Sequence, residues 1–455
     1  MSKKVLTKKV ALSLLSLVVS LLLAGVFWLG PAYIIAAPSV ATGMGAKLAC
    51  SSKYVSGLTE QQAKNDLTSY SPILAELAVH FDDQTQTVVT SFYGFSASAS
   101  FHPGLGCAID FAGTDARQGV VVPALVSAPG EWPLGSKVNT IDPDLQAVLD
   151  QILSADNAAG LESRALLLVQ GDRIVAESYA PGIGPQSQLL GWSMGKSVTA
   201  IAIGRLLYED RLRLDETDLF SEWRNDERKH IAVKDLLTMT DGLDFDEIYA
   251  PGKDVTRMLF TEPNAASFAL QSSALHEPGS HFNYSSGSAN ILSALVQQRS
   301  GASLQGNVSF LDASLYKPLG LTHALFESDA GGTLVGSSYF YASARDWARL
   351  GLLMLNKGEI NGQRLLTREF VEMASSPNAS SNEKAYGFQF WLNAGDASLR
   401  WPNVPKDAYA AMGNRSQIVM IMPSDSLVFV RLGWTNGEYP TDANIAKVVA
   451  AARKN

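Results

Sequence analysis

The chain has few cysteines and histidines, and it lacks common metal-binding motifs. Among its 455 residues there are two cysteines and six histidines, with neither a C-x-x-C nor an H-E-x-x-H pattern. The two histidines of HEPGSH, at 276–281, are not spaced to share one helical face. Spacings typical of zinc sites are therefore missing, and we expect neither a metal nor another cofactor.

Long runs of positive charge are also missing beyond the extreme N-terminus. The net charge is −8 and no long basic run occurs in the body of the chain, which argues against nucleic-acid binding. Hydrophobic residues make up 46% and charged residues 18%, so extensive disorder is not expected. A chain of this length can bury a large core and form more than one structural unit.

The N-terminus combines a basic tail with a long apolar run. Residues 1–9 contain four lysines, and residues 10–30, VALSLLSLVVSLLLAGVFWLG, carry no charge. At about 1.5 Å per residue this run spans a hydrocarbon core of roughly 30 Å. It is longer than most signal-peptide cores, and Pro38 interrupts the nearest small-residue cleavage pattern. We predict a transmembrane anchor with the body outside the cytoplasm, rather than a cleaved signal segment or a core helix.

Residues 31–48 are rich in Ala, Pro and Gly, which predicts a linker that leaves the membrane. Residues 49–140 form a small section that contains Cys50 and Cys107. Because an exported chain meets an oxidising compartment, we expect these two cysteines to form a disulfide. The alternative, a lipid-modified Cys50, is disfavoured because Lys47 lies where an apolar residue is needed.

Residues 141–455 have the pattern of one α/β domain. DPDLQAVLDQILSA predicts a helix, and RALLLVQGDRIVAESYAPG predicts a hairpin. Helices and loops dominate until about residue 400, where QIVMIMPSDSLVFVRLGW predicts a second pair of strands. Strands at both ends with helices between them predict a sheet completed by the C-terminal part of the chain.

The stretch GWSMGK, residues 191–196, fits two nucleophile patterns. Its first five residues match G-x-S-x-G, the nucleophile elbow, while Ser193 and Lys196 match S-x-x-K. An elbow needs a buried strand before the serine and a histidine late in the chain. The preceding GIGPQSQLL contains Gly, Pro and polar residues, and no histidine lies in the last quarter.

The S-x-x-K interpretation has a physical reason. If Ser193 begins a helix, Lys196 follows one turn later on the same face, within reach of the hydroxyl that it must activate. The helix N-terminus also favours negative charge developing at Ser193. Tyr284 is a second candidate, because a tyrosine beside a cation can have a lowered pKa and accept a proton.

Further motifs carry a family resemblance. In order, they are SMGKSVTAIAIGRLL, LLTMTDGLDFDE, HEPGSHFNYSSGSANIL, GSSYFYASARDWARLGLLML, YGFQFWLN and AMGNRSQ. Over residues 140–455 the chain resembles class C β-lactamase-related serine hydrolases, including penicillin-binding esterases and 6-aminohexanoate-dimer hydrolases. The resemblance implies a β-lactamase/transpeptidase-like α/β fold, with an antiparallel sheet flanked by helices and an all-helical subdomain.

By the same resemblance Ser193 is the acylated nucleophile, Lys196 its activating partner and Tyr284 the general base or proton shuttle. The remaining assignments are to substrate and oxyanion binding: Ser286, Gly413, Asn414 and, as a substrate cap, Tyr249. Ser286 lies where true class C β-lactamases have asparagine, and Ala411-Met412-Gly413 replaces their Lys-Thr-Gly.

These departures remove an amide donor and a cation that would bind a β-lactam carboxylate. The resemblance therefore implies a membrane-anchored, periplasmic or extracytoplasmic serine hydrolase that acts on a small ester, amide or peptide-like substrate. The alternatives are a penicillin-binding sensor or non-catalytic binding module on the same fold, and a β-lactamase or D-Ala-D-Ala carboxypeptidase.

Overall fold

The computed structural model describes residues 30–139 and 141–454. The strands are β1 (Ala78–Asp82), β2 (Thr87–Phe92), β3 (Phe95–His102), β4 (Gly106–Ile109), β5 (Ala128–Glu131), β6 (Gly135–Lys137), β7 (Ser163–Gln170), β8 (Arg173–Tyr179), β9 (Leu189–Leu190), β10 (Ala324–Phe326), β11 (Phe340–Ala342), β12 (Glu359–Ile360), β13 (Gln363–Arg364), β14 (Trp391–Leu392), β15 (Tyr409–Gly413), β16 (Gln417–Met422) and β17 (Leu427–Gly433).

The α-helices are α1 (Pro31–Tyr54), α2 (Glu60–Tyr70), α3 (Pro143–Ala158), α4 (Met194–Tyr208), α5 (Val233–Leu237), α6 (Asp254–Phe260), α7 (Ala265–Ala269), α8 (Ser286–Arg299), α9 (Leu304–Leu311), α10 (Lys317–Leu319), α11 (Ala344–Leu355), α12 (Arg368–Ala374) and α13 (Thr441–Ala452). Short 3₁₀ turns lie at Pro72–Glu76, Ser221–Trp223, Glu227–His230, Asn414–Ser416 and Pro423–Asp425, and a π turn at Asp312–Tyr316.

The main sheet has six antiparallel strands in the order β14-β15-β16-β17-β7-β8. The predicted hairpin is β7–β8, and the predicted C-terminal strand pair is β16–β17. Strand β17 pairs with β7, with Val428 opposite Val169, so the C-terminal strands complete the sheet as expected. Every residue of β16 and β17 is buried, because helices cover both faces of the sheet.

Helices α3 and α13 pack on one face of the sheet, and α11 packs on the other. The predicted helix α3 begins where Asp142 accepts hydrogen bonds from the backbone N–H groups of Asp144 and Leu145. Helix α4 packs against α8, which belongs to the helical part of the chain between β9 and β10. Strands β10, β11 and β9 form a small antiparallel sheet that ends just before Ser193.

The prediction of a linker at residues 31–48 is wrong, because these residues form most of α1. Residues 40–51 of this helix are buried without interruption. Its small side chains permit very close packing: a Cβ on Gly43 would overlap the carbonyl oxygen of Phe260, the last residue of α6. The Ala- and Gly-rich composition therefore reflects close approach to neighbouring elements rather than a flexible connection.

A buried ion pair fixes α1 to the rest of the molecule. Lys47 pairs with Glu327, and both side chains are almost fully buried. The same carboxylate accepts hydrogen bonds from the Ser51 hydroxyl at 2.8 Å and from the backbone N–H of Cys107 at 2.8 Å. Burial lowers the pKa of Lys47, and Glu327 opposes this shift. A charge in such a place needs its partner, so the pair makes α1 part of the core.

The small section, residues 49–140, is attached to α1 and to the α/β region that follows it. The predicted disulfide, Cys50–Cys107, is confirmed and joins α1 to β4. It also leaves no free thiol at Cys50 for lipid attachment. Strands β1 to β4 form an antiparallel sheet, and Thr59 caps the N-terminus of α2 with a capping box.

The predicted membrane segment, residues 10–30, lies outside the described residues except for Gly30. Among those that are described, one helix, Pro31–Tyr54, is long and apolar enough to cross a membrane. However, 72% of its apolar window is buried inside the protein, which is typical of a core helix. The membrane anchor at 10–30 remains a prediction.

We predict that Lys47→Met destabilises the fold by about 3–5 kcal/mol, because Glu327 would keep a buried charge without its cation. The measurement is urea unfolding followed by circular dichroism. Lys53→Met is the matched control on the same helix, because Lys53 pairs with the more exposed Glu60 and Asp83 and should have little effect. Equal stability of Lys47→Met and the native protein would contradict the integral role of α1.

Candidate active site

Ser193 lies at the N-cap of α4, where the S-x-x-K interpretation places it. The turn before it is tight: Trp192 has a φ of 48°, and a Cβ on Gly191 would overlap the ring of Trp347. A non-glycine residue in this left-handed region costs free energy and persists only when its surroundings hold it. This turn therefore fixes the direction of the Ser193 hydroxyl.

The elbow interpretation fails on two counts. The strand before Ser193 is β9, which has two residues, pairs antiparallel to β11 and lies outside the main sheet. In the described part of the chain, the side chain bonded to the Ser193 hydroxyl is that of Lys196, and no histidine bonds to it.

Lys196 is 1% exposed and makes three hydrogen bonds through its Nζ atom. The acceptors are Ser193 Oγ at 3.0 Å, Ser286 Oγ at 2.9 Å and the carbonyl oxygen of Ser337 at 3.1 Å. An ammonium group has three N–H donors, and these three acceptors match them. The lysine is therefore held in one orientation, pointing at the serine.

Ser286 is completely buried at the start of α8, and Glu247 occupies both of its hydrogen-bond donors. Its backbone N–H donates to Glu247 Oε2 at 2.7 Å, and its hydroxyl donates to Glu247 Oε1 at 2.6 Å. The prediction that Ser286 binds substrate or the oxyanion is wrong, because its polar groups are already occupied. Its role here is to connect Lys196 to Glu247.

The three partners of Lys196 differ in whether they can return a proton. The Ser286 hydroxyl already donates its hydrogen bond to Glu247, and the carbonyl group of Ser337 has no proton to donate. Ser193 is thus the partner that can donate a hydrogen bond to a neutral Lys196. When the lysine loses a proton, its two remaining N–H groups stay on Ser286 and Ser337, and its lone pair faces Ser193.

The surroundings of Lys196 bring its pKa into the range in which it can act as a base near neutral pH. Burial lowers the pKa of Lys196 to about 8, and the nearby Glu247 carboxylate works against that shift. Burial raises the pKa of Glu247, while the charge of Lys196 and the bonds from Ser286 lower it. A substantial fraction of Lys196 is therefore neutral at mildly alkaline pH, as a general base requires.

Tyr284 lies close to the Ser193 hydroxyl, and its ring stacks on Trp391 with centroids 5.1 Å apart. The expectation of a lowered pKa is wrong for this tyrosine: burial raises its pKa, and Glu247 raises it further. The cation of Lys196 lies over the ring, 4.9 Å from its centroid. Tyr284 therefore keeps its proton and is suited to pass one on rather than to begin as a phenolate.

Gly413, the last residue of β15, and Asn414, the first residue of the following turn, lie against the Ser193 turn. A Cβ on Gly413 would overlap the carbonyl oxygen of Gly191 and lie 3.2 Å from the backbone nitrogen of Ser193. No hydrogen bond from the backbone N–H of Ser193 or Asn414 is found among the described loops and turns. Two free N–H donors at such a junction are what an oxyanion hole needs.

Hydrogen bonds from Arg431 hold the turn that contains Asn414. Arg415 and Ser416 have φ angles of 61° and 63°. Buried Arg431, in β17, donates to the carbonyl oxygens of both residues at 2.9 Å. These bonds hold a strained turn and thereby fix Asn414 beside the nucleophile.

Tyr249 lies two residues after Glu247 and is 38% exposed. Desolvation of its hydroxyl raises the pKa of Tyr249, and the nearby Glu247 carboxylate raises it further. This position agrees with a substrate-capping role, which stays a prediction.

Sequence reasoning missed Glu247 and Ser337. Glu247 lies inside the quoted motif LLTMTDGLDFDE, and the motif itself was the available signal. Lys196 contacts the backbone carbonyl of Ser337, a group that every residue has, so the sequence gives no sign of this contact.

Comparison with known proteins gives a family match over most of the catalytic region. The family model "Beta-lactamase" matches residues 149–454. This span begins within α3 and contains the main sheet, Ser193, Lys196 and Tyr284. The β-lactamase/transpeptidase-like α/β fold class is thereby confirmed, and residues 30–148 lie outside the match.

Similar proteins share low sequence identity with this chain. A 6-aminohexanoate-dimer hydrolase of Paenarthrobacter ureafaciens is 23% identical over 283 residues, covering 59% of this chain and 71% of that protein. Protein flp of Staphylococcus aureus strain N315 is 23% identical, covering 65% of this chain and 64% of its own length. The solved structure of a protein described as a putative 6-aminohexanoate-dimer hydrolase from Bacillus anthracis has a TM-score of 0.54 and 20% identity, covering 74% and 90%.

We predict that the pH–rate profile of kcat/KM has a rising limb near pH 8, as Lys196 loses its proton. Glu247→Gln removes a negative charge that favours the ammonium form, so the limb should move to lower pH. The maximal rate should fall about tenfold or more, because a glutamine amide can donate to Ser286 and free its proton to compete for Lys196. Ester hydrolysis measured from pH 5 to 10 provides the test.

Asp244→Asn is the matched control for Glu247→Gln, because Asp244 is an exposed carboxylate in the same segment. Its profile should match that of the native protein. A limb that stays in place, or moves to higher pH, in Glu247→Gln would contradict the assignment.

We predict that Gly413→Ala reduces kcat by at least about a hundredfold, because the new methyl group would push the end of β15 away from the Ser193 turn. Gly184→Ala is the control, since a Cβ there meets no heavy atom within 4 Å and the backbone φ is not positive. Circular dichroism should show both variants folded. Full activity of folded Gly413→Ala would argue against an oxyanion hole at this junction.

Proposed function

Because the chain belongs to the beta-lactamase family, whose members are generally serine hydrolases, we propose that it hydrolyses an ester or amide through an acyl-enzyme on Ser193. The observation that carries this proposal is the hydrogen-bond direction around Lys196. With Ser286 bonded to Glu247 and Ser337 contributing a carbonyl, neutral Lys196 turns its lone pair toward Ser193.

In the first half of the reaction, neutral Lys196 takes the proton of Ser193 as Oγ attacks the substrate carbonyl. The backbone N–H groups of Ser193 and Asn414 bind the oxyanion of the tetrahedral intermediate, and the N-terminus of α4 adds favourable potential. As the intermediate collapses, Tyr284 gives its proton to the departing alcohol or amine. The proton held by Lys196 then restores Tyr284, and the acyl group stays on Ser193.

In the second half, water replaces the leaving group. The same lysine–tyrosine pair takes a proton from the water as it attacks the acyl-enzyme, and Ser193 regains a proton when the acid departs. The overall reaction consumes one water and restores each side chain.

The substrate class follows from what surrounds the nucleophile. Ala411 replaces the lysine of the Lys-Thr-Gly motif and is 4% exposed, so this position offers no cation to a substrate carboxylate. Ser286 offers no donor to a substrate because Glu247 occupies it. Both features favour linear esters and amides over β-lactams or D-Ala-D-Ala termini.

We also propose that the protein is exported and anchored through residues 10–30, with the catalytic region outside the cytoplasm. The Cys50–Cys107 disulfide supports this proposal, because such bonds persist in oxidising compartments. The basic residues of the 1–9 segment would stay on the cytoplasmic side.

We predict that a fluorophosphonate probe labels the native protein and fails to label Ser193→Ala. The native protein should also turn over p-nitrophenyl butyrate, and Lys196→Ala should lose at least about a hundredfold in kcat, because Ser193 would have no base. Equal labelling of the native protein and Ser193→Ala would refute the nucleophile. Labelling with a stable adduct and no ester turnover would identify a sensor on the same fold.

A further inference from the structure

Tyr70, the last residue of α2, reaches the nucleophile from outside the family match. Its ring lies 5.7 Å, centroid to centroid, from that of Trp192, which directly precedes Ser193. Its hydroxyl accepts a hydrogen bond of 2.8 Å from the side chain of Asn414, whose backbone N–H belongs to the candidate oxyanion hole. Tyr70 therefore lies between the two segments that form the reaction site.

The end of α2 is built firmly into this position. Arg415 donates to the carbonyl oxygen of Ser69 at 3.0 Å, and its guanidinium lies 4.5 Å from the centre of the Tyr70 ring. The indole N–H of Trp434 donates to the carbonyl oxygen of Asp66 at 3.0 Å, and Arg164 pairs with the Asp66 carboxylate. Such anchoring at both ends of the last turn gives Tyr70 a fixed orientation.

The O–H group of Tyr70 is available to donate a hydrogen bond. Asn414 donates to its oxygen, and within residues 30–139 and 141–454 no acceptor takes its proton. Burial raises the pKa of Tyr70 to about 12, so the proton is present at neutral pH. The Tyr70 side chain is half-buried while Asn414 is exposed, so their hydrogen-bonded pair borders solvent next to the residue that precedes Ser193.

The surrounding charges favour a neutral acceptor. Arg415, whose guanidinium lies over the Tyr70 ring, is 7% exposed. Its Nη1 and Nη2 atoms donate to the carbonyl oxygens of Thr435 and Ser69, and its Nε, which has no partner among the described residues, is buried away from a bound molecule. A substrate carboxylate here would lose water without gaining a paired cation, whereas an amide carbonyl needs one donor.

Resting on the function proposed above, we infer that Tyr70 is a substrate-contacting residue supplied by the small N-terminal section. Its hydroxyl, oriented by the Asn414 side chain, donates a hydrogen bond to an amide carbonyl oxygen beside the scissile carbonyl. The site therefore selects acyl groups that contain a second amide, as in peptide-like or oligoamide chains, over simple alkyl acyl groups.

The test compares p-nitrophenyl esters of two kinds. The first kind is p-nitrophenyl butyrate, whose acyl group has no amide. The second kind is a series of p-nitrophenyl esters of N-acetylated amino acids, in which one to five methylene groups separate the amide from the scissile carbonyl. Tyr70→Phe keeps the ring and removes the hydroxyl. It should lower kcat/KM about tenfold for at least one amide-bearing ester and leave butyrate within about twofold.

Two further variants separate recognition from structure. Tyr54→Phe is the matched control, because Tyr54 also lies in the N-terminal section but donates its hydroxyl to the carbonyl oxygen of Asp82. It should change neither class of ester. Asn414→Ala also alters a residue of the oxyanion hole, so it is read only through the ratio of kcat/KM for amide-bearing esters to kcat/KM for butyrate. This ratio should fall as it does in Tyr70→Phe, and the double variant should lower it no further than either single one, because both act through one hydrogen bond.

The results divide clearly. A loss confined to amide-bearing esters supports the inference. If Tyr70→Phe loses activity equally on every ester, or on none, the inference about Tyr70 is wrong. The proposed hydrolase activity would still stand in that case, because the native protein turns the esters over. Absence of ester turnover in the native protein would overturn the hydrolase and this inference with it.

Discussion

The active site depends on one buried lysine whose hydrogen-bond partners are not equivalent. Lys196 has three acceptors, and two of them cannot return a proton: Ser337 contributes a carbonyl, and the proton of Ser286 belongs to Glu247. Burial brings the pKa of the lysine close to neutrality, and the hydrogen-bond pattern decides where its lone pair points. A carboxylate that touches neither substrate nor nucleophile thus determines which serine is activated, because it holds the other serine's proton.

The small N-terminal section belongs to the same structural argument. Helix α1 is fixed in the core by the buried pair of Lys47 with Glu327, and the disulfide between Cys50 and Cys107 ties it to the small sheet. The following helix ends at Tyr70 against Trp192 and Asn414. A section outside the family match therefore contributes to the wall of the site, where differences in substrate choice can arise without any change to the serine and lysine.

Local patterns predicted what local physics determines. The hairpins, the capped helices, the Ser-Lys spacing and the disulfide all follow from short stretches or from compartment. The failures involve partners distant in the sequence. Residues 31–48 resemble a linker because the acid that makes Lys47 a core residue is Glu327, 280 positions away. Tyr284 was expected to ionise easily, yet burial and Glu247 outweigh a lysine that lies over its ring. The sequence predicts Ser286 as a substrate-binding residue because it does not show the hydrogen bond between Ser286 and Glu247.

The central claim is that Lys196 is the base for Ser193, with its pKa lowered by burial and held up in part by Glu247. The most direct measurement is an NMR titration of lysine labelled with ¹³C at Cε, with the Lys196 signal identified by its loss in Lys196→Met. The account predicts a midpoint near pH 8 in the native protein and a lower one when Glu247 is replaced by glutamine. A Lys196 midpoint in the range of exposed lysines, unchanged by the loss of Glu247, would contradict it.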